Sequence, residues 1–454
     1  MRLQKSKFHF VGIGGIGMCG LAELLHNMGA QVSGSDLHSN ANTERLAQLG
    51  VKIFKGHSES HLQDADVLVY SSAVQTSNPE VMAARKRKIP MIPRAEALAE
   101  IMRLKRGVAV AGTHGKTTTT SMLASIFLEA QSEPTIVIGG RFDLIQSTAR
   151  LGKGEWLVAE ADESDGSFNK LSPEFAIITN IDNDHMDYYK SFENLQKAFV
   201  AFANKVPFYG HVVVCGDEVR HRELFQNFSK PISFYGFDEG NDYVLKGSQG
   251  NYELFENDLE LKKMKKLGHL KLSIPGTHNA LNATAAVIIG LKAGFSFEVI
   301  QKGLERFQGV DRRFHFKGEK AGIKIYDDYG HHPTEVRATL QAFREKFPHQ
   351  RLVVFFQPHR YSRTESCWHD FTQSFQDADQ VLLTDIYPAG ESPIEGIHSQ
   401  RLAAEIKHSQ VHYLPKESDL LSSVSSKLKA GDVFITLGAG DGWKLGMTLL
   451  ESLK

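Results

Sequence analysis

The residue types best suited to chemistry lie in the segment 108–120, which reads VAVAGTHGKTTTT. An apolar run leads into a short glycine loop, and Lys116 and Thr117 follow Gly115 directly. Glycines let backbone N–H groups point inward around phosphate oxygens, lysine adds a point charge, and a threonine hydroxyl can ligate Mg²⁺. The common spacing would place a glycine at Val110, so this is a shortened loop. The segment predicts a nucleoside triphosphate site rather than an incidental tight turn.

A second glycine loop, Gly12-x-Gly14-x-x-Gly17, follows an apolar run near the start of the chain. Apolar residues recur at helical spacing from this loop to Gly29, and this glycine predicts the end of the helix. A second apolar run follows and ends in Asp36. In a dinucleotide-binding βαβ unit, an acidic residue about twenty positions after such a loop can accept a hydrogen bond from a ribose hydroxyl. The pattern favours a nucleotide diphosphate over a bare turn, although it does not set which nucleotide.

Polar residues also follow three later strand-like runs. Ser71 and Ser72 come after the run 67–70, where they either face a ligand crevice or form a polar turn. Glu160 ends another run, and its carboxylate supplies the hard oxygen that Mg²⁺ prefers. His185 follows a third run, and it remains open whether it binds a second metal, contacts phosphate or is structural.

The alternation of strands and helices predicts an α/β protein of three domains. We expect an N-terminal Rossmann-like domain over 1–106, a central P-loop ATPase-like sheet over 107–310, and a C-terminal Rossmann-like domain over 311–454. Residues 236–270 alternate polar and apolar side chains and predict a β-hairpin or a small excursion, structural rather than catalytic. In the third segment ionisable residues again follow strand-like runs, which favours a site over solvated surface: Arg312, Arg313, Asp327, Asp328, His331, His332, His359, Arg360 and Arg363.

The composition is that of a cytoplasmic enzyme. The net charge of −1 over 454 residues gives no indication of a nucleic-acid partner. The start of the chain has no leader-like apolar core, and no stretch is long enough to be inserted in a membrane. The three cysteines lie far apart without metal or redox spacing, so we expect buried thiols in a reducing compartment.

Eight motifs together resemble the Mur ligases, cytoplasmic ATP-dependent amide-forming enzymes of bacterial cell-wall synthesis. Two of them, at 327–335 and 357–364, are most similar to the branch that adds L-alanine to UDP-N-acetylmuramate. The murein tripeptide ligases are the nearest rival, but the first glycine loop is more like that of the alanine-adding branch. The motifs are GIGGIGM (12–18), GTHGKTTTT (112–120), AEADESD (159–165), TNIDNDHMD (179–187), GTHNALNA (276–283), GVDRRF (309–314), DDYGHHPTE (327–335) and QPHRYSRT (357–364).

The resemblance implies a ligation through an acyl phosphate, which yields UDP-N-acetylmuramoyl-L-alanine, ADP and phosphate. It implies ATP and Mg²⁺ as cofactors and a monomer or weak homodimer. The implied catalytic residues are Lys116, Glu160, His185 and His331, with His331 or His185 as the proton acceptor. The implied metal ligands are Thr117 and Glu160 for a first Mg²⁺ and His185 for a second.

The resemblance also implies binding roles for residues at matching positions. The UDP part of the substrate would be held by Gly14, Gly15, Ile16, Gly17, Asp36, Ser71 and Ser72. The ATP phosphates would be held by Gly112, Thr113, His114, Gly115, Lys116, Thr117, Thr118 and Arg313, the adenine by His278, Asn279 and Asn282, and the ribose by Asp328. The alanine would be held by Tyr329, His331, His359 and Arg363, with Arg363 on its carboxylate.

Three alternatives compete with this interpretation. A non-catalytic nucleotide-binding regulator would use the first loop, but it would not need acidic and histidine residues around the second. An NAD-dependent dehydrogenase would use residues 12–17 and leave 112–117 unexplained. A folylpolyglutamate synthase shares the ATP chemistry, but we would not expect a leading UDP-type domain in it.

Overall fold

The computed structural model describes residues 5–71, 74–416 and 419–452. Among these residues the strands form three sheets with intervening helices, which confirms the predicted α/β class. None of the described helices is long and apolar enough to span a membrane. The chain divides into two compact units: Met1–Lys246, Glu253–His269 and Leu281–Phe307 form the first, and Gly247–Tyr252, Leu270–Ala280 and Gln308–Lys454 form the second.

The N-terminal sheet has the strand order β3-β2-β1-β4-β5 with every pairing parallel, as in one half of a Rossmann fold. Its first helix ends as predicted, because Gly29 adopts a φ of +91° just beyond the capping residue Met28. The strands are β1 Lys7–Val11, β2 Gln31–Asp36, β3 Lys52–Lys55, β4 Val67–Tyr70 and β5 Met91–Pro93. The helices are α1 Ile16–Asn27, α2 Ala41–Gln48, α3 Pro79–Lys86 and α4 Arg94–Met102.

The central sheet has the order β15-β14-β13-β12-β11-β10-β6-β9-β7-β8. The strands are β6 Arg106–Ala111, β7 Thr135–Phe142, β8 Ser147–Arg150, β9 Trp156–Glu160, β10 Phe175–Ile178, β11 His211–Cys215, β12 Ile232–Gly236, β13 Tyr243–Ser248, β14 Asn251–Asp258 and β15 Lys263–Lys271. The helices are α5 Lys116–Glu129, α6 Met186–Tyr189, α7 Phe192–Ala203, α8 Val219–Leu224, α9 Thr277–Lys292 and α10 Phe297–Arg306.

Strand β6 lies between β10 and β9, and its apolar run is buried, as is usual for a central parallel strand. Helices α5 and α10 pack closely, because a Cβ at Gly303 would lie 2.6 Å from the Ile126 Cα. The segment 236–270 differs from the prediction. It contributes β13, β14 and most of β15, three strands that extend the sheet, because the alternating pattern continues past the expected single hairpin.

The C-terminal sheet has the order β16-β17-β21-β18-β19-β20, parallel except for the antiparallel pair β16 and β17. Val354 and Phe356 of β18 join one apolar cluster and Val353 and Phe355 another, so both faces of this sheet are covered. The strands are β16 His315–Lys320, β17 Ile323–Asp328, β18 Leu352–Phe356, β19 Gln380–Leu383, β20 Val411–Tyr413 and β21 Val433–Leu437. The helices are α11 Pro333–Lys346, α12 Tyr361–Ser366, α13 Trp368–Phe371, α14 Ser399–Glu405, α15 Leu420–Ser425 and α16 Trp443–Ser452.

A buried carboxylate holds the N-terminal sheet to α3. Glu80 is fully buried, and its side chain accepts a hydrogen bond of 2.5 Å from the Ser35 hydroxyl. The Nδ1 of His61 lies 2.9 Å from one of its oxygens, and His57 and His9 lie 3.4 and 3.6 Å from the other. Burial alone would raise the pKa of Glu80, but the nearby His9 ring and the hydrogen bonds with Ser35 and His61 outweigh it and lower the pKa to about 2.

We expect Glu80→Gln to lower the local free energy of unfolding of the N-terminal sheet by about 3 kcal/mol at neutral pH. The pKa is lower in the folded state, so this stabilisation is present above the ordinary carboxyl pKa and is lost as the pH falls toward 2. Amide hydrogen exchange in β1 and β2 measures the effect, and the difference from the unmodified protein should shrink in acid. The control is Glu59→Gln, at an exposed glutamate. Equal protection in both variants at neutral pH would contradict this prediction.

Candidate active site

The shortened phosphate loop connects β6 to α5. Gly112 and Gly115 adopt φ values of +137° and +82°, in the region that glycine enters without strain. A Cβ at Gly112 would lie 1.9 Å from the Oγ1 of Thr179, so no other residue fits that position. The Thr179 hydroxyl instead donates to the His114 carbonyl at 2.6 Å. The backbone of the predicted triphosphate loop is therefore set by glycine conformation and by the strand beside it.

Lys116 lies at the first position of α5, and its ammonium group is held inside the loop. Its Nζ donates to the carbonyls of Gly112 (2.7 Å) and Thr113 (3.1 Å) and lies 2.8 and 2.9 Å from the two oxygens of Glu163. Burial opposes the charge, but the carboxylates of Glu163, Asp162 and Glu160 raise the pKa of Lys116, so it stays protonated. Glu163 was not among the site residues predicted from the sequence. It is fully buried, and burial raises its pKa to about 7 even though the positive charge of Lys116 acts to lower it.

Thr117 and Glu160 form a pair of oxygen donors beside this lysine. The Thr117 hydroxyl donates to the Oε2 of Glu160 at 2.9 Å, and the Gly139 N–H donates to the same oxygen at 2.9 Å. A hydroxyl and a carboxylate so close together are the donor set that suits Mg²⁺, which keeps several waters and needs few protein ligands. The chemistry of the pair fits the predicted first metal ion.

His185 lies at the start of α6 with a φ of +59°, a backbone conformation that is uncommon for residues other than glycine. Its Nε2 is 3.6 Å from Glu163 and 3.6 Å from Asp184. The structure thus places His185 near the partner of Lys116, and its role as a second metal ligand stays a prediction.

The remaining loop residues differ in what they contact. The His114 N–H donates to the Asn180 Oδ1 at 2.9 Å, and its Nε2 lies 2.9 Å from the Oδ2 of Asp182. Thr118 is buried within α5. His114 and Thr118 therefore contribute to the shape of the loop, and direct contacts of their side chains with phosphate stay predictions.

A cavity of about 310 Å³ is lined by residues of the first glycine loop and by Glu160. Its walls come from the first glycine loop and α1, from the residue after β4, from the middle of β7 and from the end of β9, all in the first unit. Arg94 also lines it, although it was not among the site residues predicted from the sequence. The residues of its wall that bear on chemistry are Gly12, Gly15, Ile16, Gly17, Ser71, Arg94, Gly139, Glu160 and Asp162.

Asp36 is close to the first glycine loop, as predicted for the UDP part. Its carboxylate accepts hydrogen bonds from the N–H of Gly14 (2.9 Å) and of His38 (3.2 Å). A second cavity of about 250 Å³ lies beside it and is lined also by Phe54 and Lys55. Ser71 lines the first cavity, whereas Ser72 lies outside the described residues.

The residues predicted for adenine and ribose are divided between the two units. In the first unit, a Cβ at Gly115 would lie 2.6 Å from the Asn282 side chain, so Asn282 borders the phosphate loop. In the second unit, burial and the charge of Arg313 lower the pKa of His278 to about 4, which leaves a neutral imidazole. The Asn279 amide donates to the Pro275 carbonyl at 2.6 Å.

Asp328 also belongs to the second unit, and its carboxylate is engaged by the protein itself. It accepts hydrogen bonds from the N–H of Phe314 (2.7 Å) and Gly330 (2.8 Å) and from the Thr339 hydroxyl (3.2 Å). These contacts give Asp328 a structural role that the sequence analysis missed. Its contact with ribose stays a prediction.

The residues predicted to bind alanine do come together in the second unit. The rings of Tyr329 and His331 are 5.4 Å apart, and those of His331 and His359 are 5.8 Å apart. The Nη1 of Arg363 lies 3.4 Å from the Nδ1 of His359. Burial, with the nearby charges of Arg363 and Arg360, lowers the pKa of His359 to about 4, so it is neutral and a weak base. The group thus combines the buried guanidinium of Arg363 with the rings of Tyr329, His331 and His359. A cation that can pair with a carboxylate, enclosed by rings, suits a small amino acid.

The central sheet has a glycine-rich phosphate loop after β6 and acidic residues at the end of β9, the strand beside it. These features define the phosphate-loop class of nucleotide-binding proteins. Three family models cover most of the chain. They are described as "Mur ligase family, catalytic domain" (residues 7–106), "Mur ligase middle domain" (110–290) and "Mur ligase, glutamate ligase domain" (312–440). The chain belongs to the Mur ligase family.

Curated relatives and solved structures agree with this assignment. The chain is 68% identical to a UDP-N-acetylmuramate–L-alanine ligase of Bdellovibrio bacteriovorus over 100% of both chains. It is 50% identical to the enzyme of the same name from a Geobacter species, over 99% of this chain and 98% of the other. The crystal structure of a UDP-N-acetylmuramate-alanine ligase from Thermotoga maritima matches with a TM-score of 0.80 and 29% identity, covering 98% of both chains. A murein peptide ligase from Psychrobacter arcticus matches with a TM-score of 0.72 and 25% identity, also over 98% of both.

Proposed function

We propose that this chain joins L-alanine to UDP-N-acetylmuramate in a reaction that consumes ATP and requires Mg²⁺. The products are UDP-N-acetylmuramoyl-L-alanine, ADP and phosphate. The observation that supports the reaction class most is the shared cavity, whose lining includes both the first glycine loop and Glu160. A sugar nucleotide held at the glycine loop by its diphosphate can extend its carboxylate toward the phosphate loop. The names of the relatives supply the particular substrates.

The first step activates the lactyl carboxylate of the sugar nucleotide. A carboxylate oxygen attacks the γ-phosphorus of ATP, the bond to the β-phosphate oxygen breaks, and ADP leaves. Such phosphoryl transfer depends on positioning and on neutralising charge. Lys116, Gly112–Gly115 and the N-terminus of α5 supply that charge from this chain. Thr117 and Glu160 would hold Mg²⁺, which when bound neutralises phosphate charge, and His185 would hold a second ion.

The second step forms the amide. The uncharged amine of alanine attacks the acyl phosphate, and the tetrahedral intermediate expels inorganic phosphate. The ammonium must first lose a proton, for which His331 or His185 is the candidate acceptor, since imidazole titrates near neutral pH. Arg363 would hold the alanine carboxylate, because a planar guanidinium pairs with a carboxylate through two hydrogen bonds. Tyr329 and His359 would form the walls of this pocket.

The remaining expectations belong to the same proposal. We place the domain boundaries at 1–106, 107–310 and 311–454, and the enzyme in the cytoplasm. The three cysteines are free and buried, which fits the reducing compartment where such a reaction would take place. Whether the enzyme is a monomer or a weak homodimer stays a prediction.

We expect Arg363→Lys to raise the KM for L-alanine about 10- to 100-fold with a smaller change in kcat, because lysine cannot make the paired contact. The KM for ATP should stay nearly constant. Steady-state phosphate release, with alanine varied at saturating ATP and sugar nucleotide, gives both constants. Arg401→Lys, at an exposed arginine of the same domain, is the control. An unchanged KM for alanine in Arg363→Lys would show that Arg363 does not bind the alanine carboxylate.

The experiment that tests the function is mass spectrometry of the product. The protein is incubated with UDP-N-acetylmuramate, ATP, Mg²⁺, an amino-acid mixture and the murein tripeptide. The proposal predicts a product heavier by one alanine residue, formed only with ATP. Addition of the tripeptide would instead support the murein peptide ligase activity, and no product from any acceptor would contradict a ligase.

A further inference from the structure

The cavity between the first glycine loop and Glu160 contains one arginine that none of the family motifs quoted above includes. Arg94 begins α4 and lies against the first turn of α1, because a Cβ at Gly17 would come within 2.6 Å of its Nη1. Glycine at position 17 therefore leaves room for the guanidinium at the wall of the cavity.

The guanidinium of Arg94 forms an ion pair with Asp162, which also lines the cavity. Its Nη2 donates to the Oδ2 of Asp162 at 3.1 Å, while the Oδ1 of Asp162 accepts from the Ser164 N–H. Asp162 is thus held in place and orients Arg94. It accepts from only some of the five N–H donors of the Arg94 guanidinium.

The position of this cation also indicates an anion in the cavity. The amino-terminal end of a helix carries partial positive charge, so a cation beside it is unfavourable unless they share an anion. Helix α1 has no acidic residue in its first turn and no side-chain cap. The first turn of α1 and the guanidinium therefore both bring positive charge to the lining of one cavity, which Asp162 also lines.

We propose that Arg94 binds the diphosphate of the sugar nucleotide, together with the N–H groups of the first glycine loop, and that Asp162 is its positioning partner. This inference rests on the proposed function. Arginine suits the role because its guanidinium can make two parallel hydrogen bonds to phosphate oxygens. A binding group on α4 would also extend the contact with substrate beyond the loop between β1 and α1.

The test is titration calorimetry of the full-length protein with UDP-N-acetylmuramate and, separately, with UDP. Arg94→Ala should weaken both ligands by a similar factor of about 10 to 100, because a charge-assisted contact to phosphate is common to both. Arg94→Lys should recover part of the loss. Arg103→Ala, which removes an exposed arginine just after the same helix, should leave both affinities unchanged. ATP affinity should be constant throughout.

Three outcomes would overturn the inference. Unchanged UDP affinity in Arg94→Ala, with only UDP-N-acetylmuramate weakened, would place Arg94 at the sugar or its carboxylate instead. Unchanged affinity for both ligands in Arg94→Ala would show that Arg94 does not contact the sugar nucleotide. A loss of UDP affinity in Asp162→Asn equal to that in Arg94→Ala would assign the effect to the ion pair, because the inference makes Arg94 the binding group and Asp162 only its positioning partner, so Asp162→Asn should lose less. The failure of the proposed function is distinguishable, since it would appear in the product of the unmodified protein, whereas this test compares the affinities of variants without turnover.

Discussion

Replacing Lys116 with methionine is expected to lower kcat about 1,000-fold or more, because the phosphoryl group then loses its fixed positive charge. Methionine keeps most of the side-chain length but cannot donate the bonds that Lys116 makes in the loop. Affinity for the sugar nucleotide should change by less than about threefold, since that ligand is assigned to the first glycine loop. ADP formation followed by a coupled assay and calorimetry with UDP-N-acetylmuramate measure the two effects.

The substitution leaves Glu163 without its cation, yet the protein should still fold. The pKa of Glu163 is already raised to about 7, so this buried carboxyl can take up a proton at small cost when the ammonium is removed. The double variant Lys116→Met with Glu163→Gln tests that point by thermal unfolding. Lys153→Met, at an exposed lysine of the same domain, is the control for activity. Retained ADP formation in Lys116→Met would show that the loop does not hold the triphosphate.

Replacing Glu160 with glutamine is expected to lower kcat about 100- to 1,000-fold and to raise the Mg²⁺ concentration needed for half-maximal rate. The amide oxygen can still accept the Gly139 N–H and the Thr117 hydroxyl, so the local structure should persist. What is lost is the negative charge of a metal ligand. Rates measured over a range of Mg²⁺ concentrations separate a weakened metal site from a general loss of activity.

The matched control for this variant is Glu155→Gln, just before the same strand. Glu155 is exposed and pairs with Arg106 at the surface, where an ion pair contributes little. It should have the Mg²⁺ dependence of the unmodified enzyme. A Glu160→Gln enzyme with an unaltered Mg²⁺ requirement would mean that the ion is held elsewhere.

Local spacing was sufficient to predict both glycine loops, because their conformation is determined by a few consecutive residues. Gly12–Gly17 and Gly112–Gly115 turn where the sequence predicts, and the helix after the first loop ends at Gly29. The strand-end positions of Glu160 and Asp36 follow from the same reasoning, since apolar runs end where a parallel strand leaves the core.

What escaped prediction depends on contacts between distant segments. The run 159–165 contains several acidic residues, and nothing in it shows that Glu163 and not Asp165 reaches Lys116. Arg94 is separated by 68 positions from its partner Asp162. Asp328 is at the expected strand end, but its bonds to Phe314 and Gly330 appear only once the chain has folded around it.

The most direct test of the central claim follows oxygen from the substrate carboxylate. UDP-N-acetylmuramate labelled with ¹⁸O in the lactyl carboxylate is turned over with ATP and L-alanine, and the inorganic phosphate is examined by mass spectrometry. An acyl phosphate transfers one labelled oxygen to phosphate in each turnover, because the bond that breaks in the second step joins that oxygen to carbon. Phosphate free of label, with amide product formed, would contradict activation of the carboxylate by ATP.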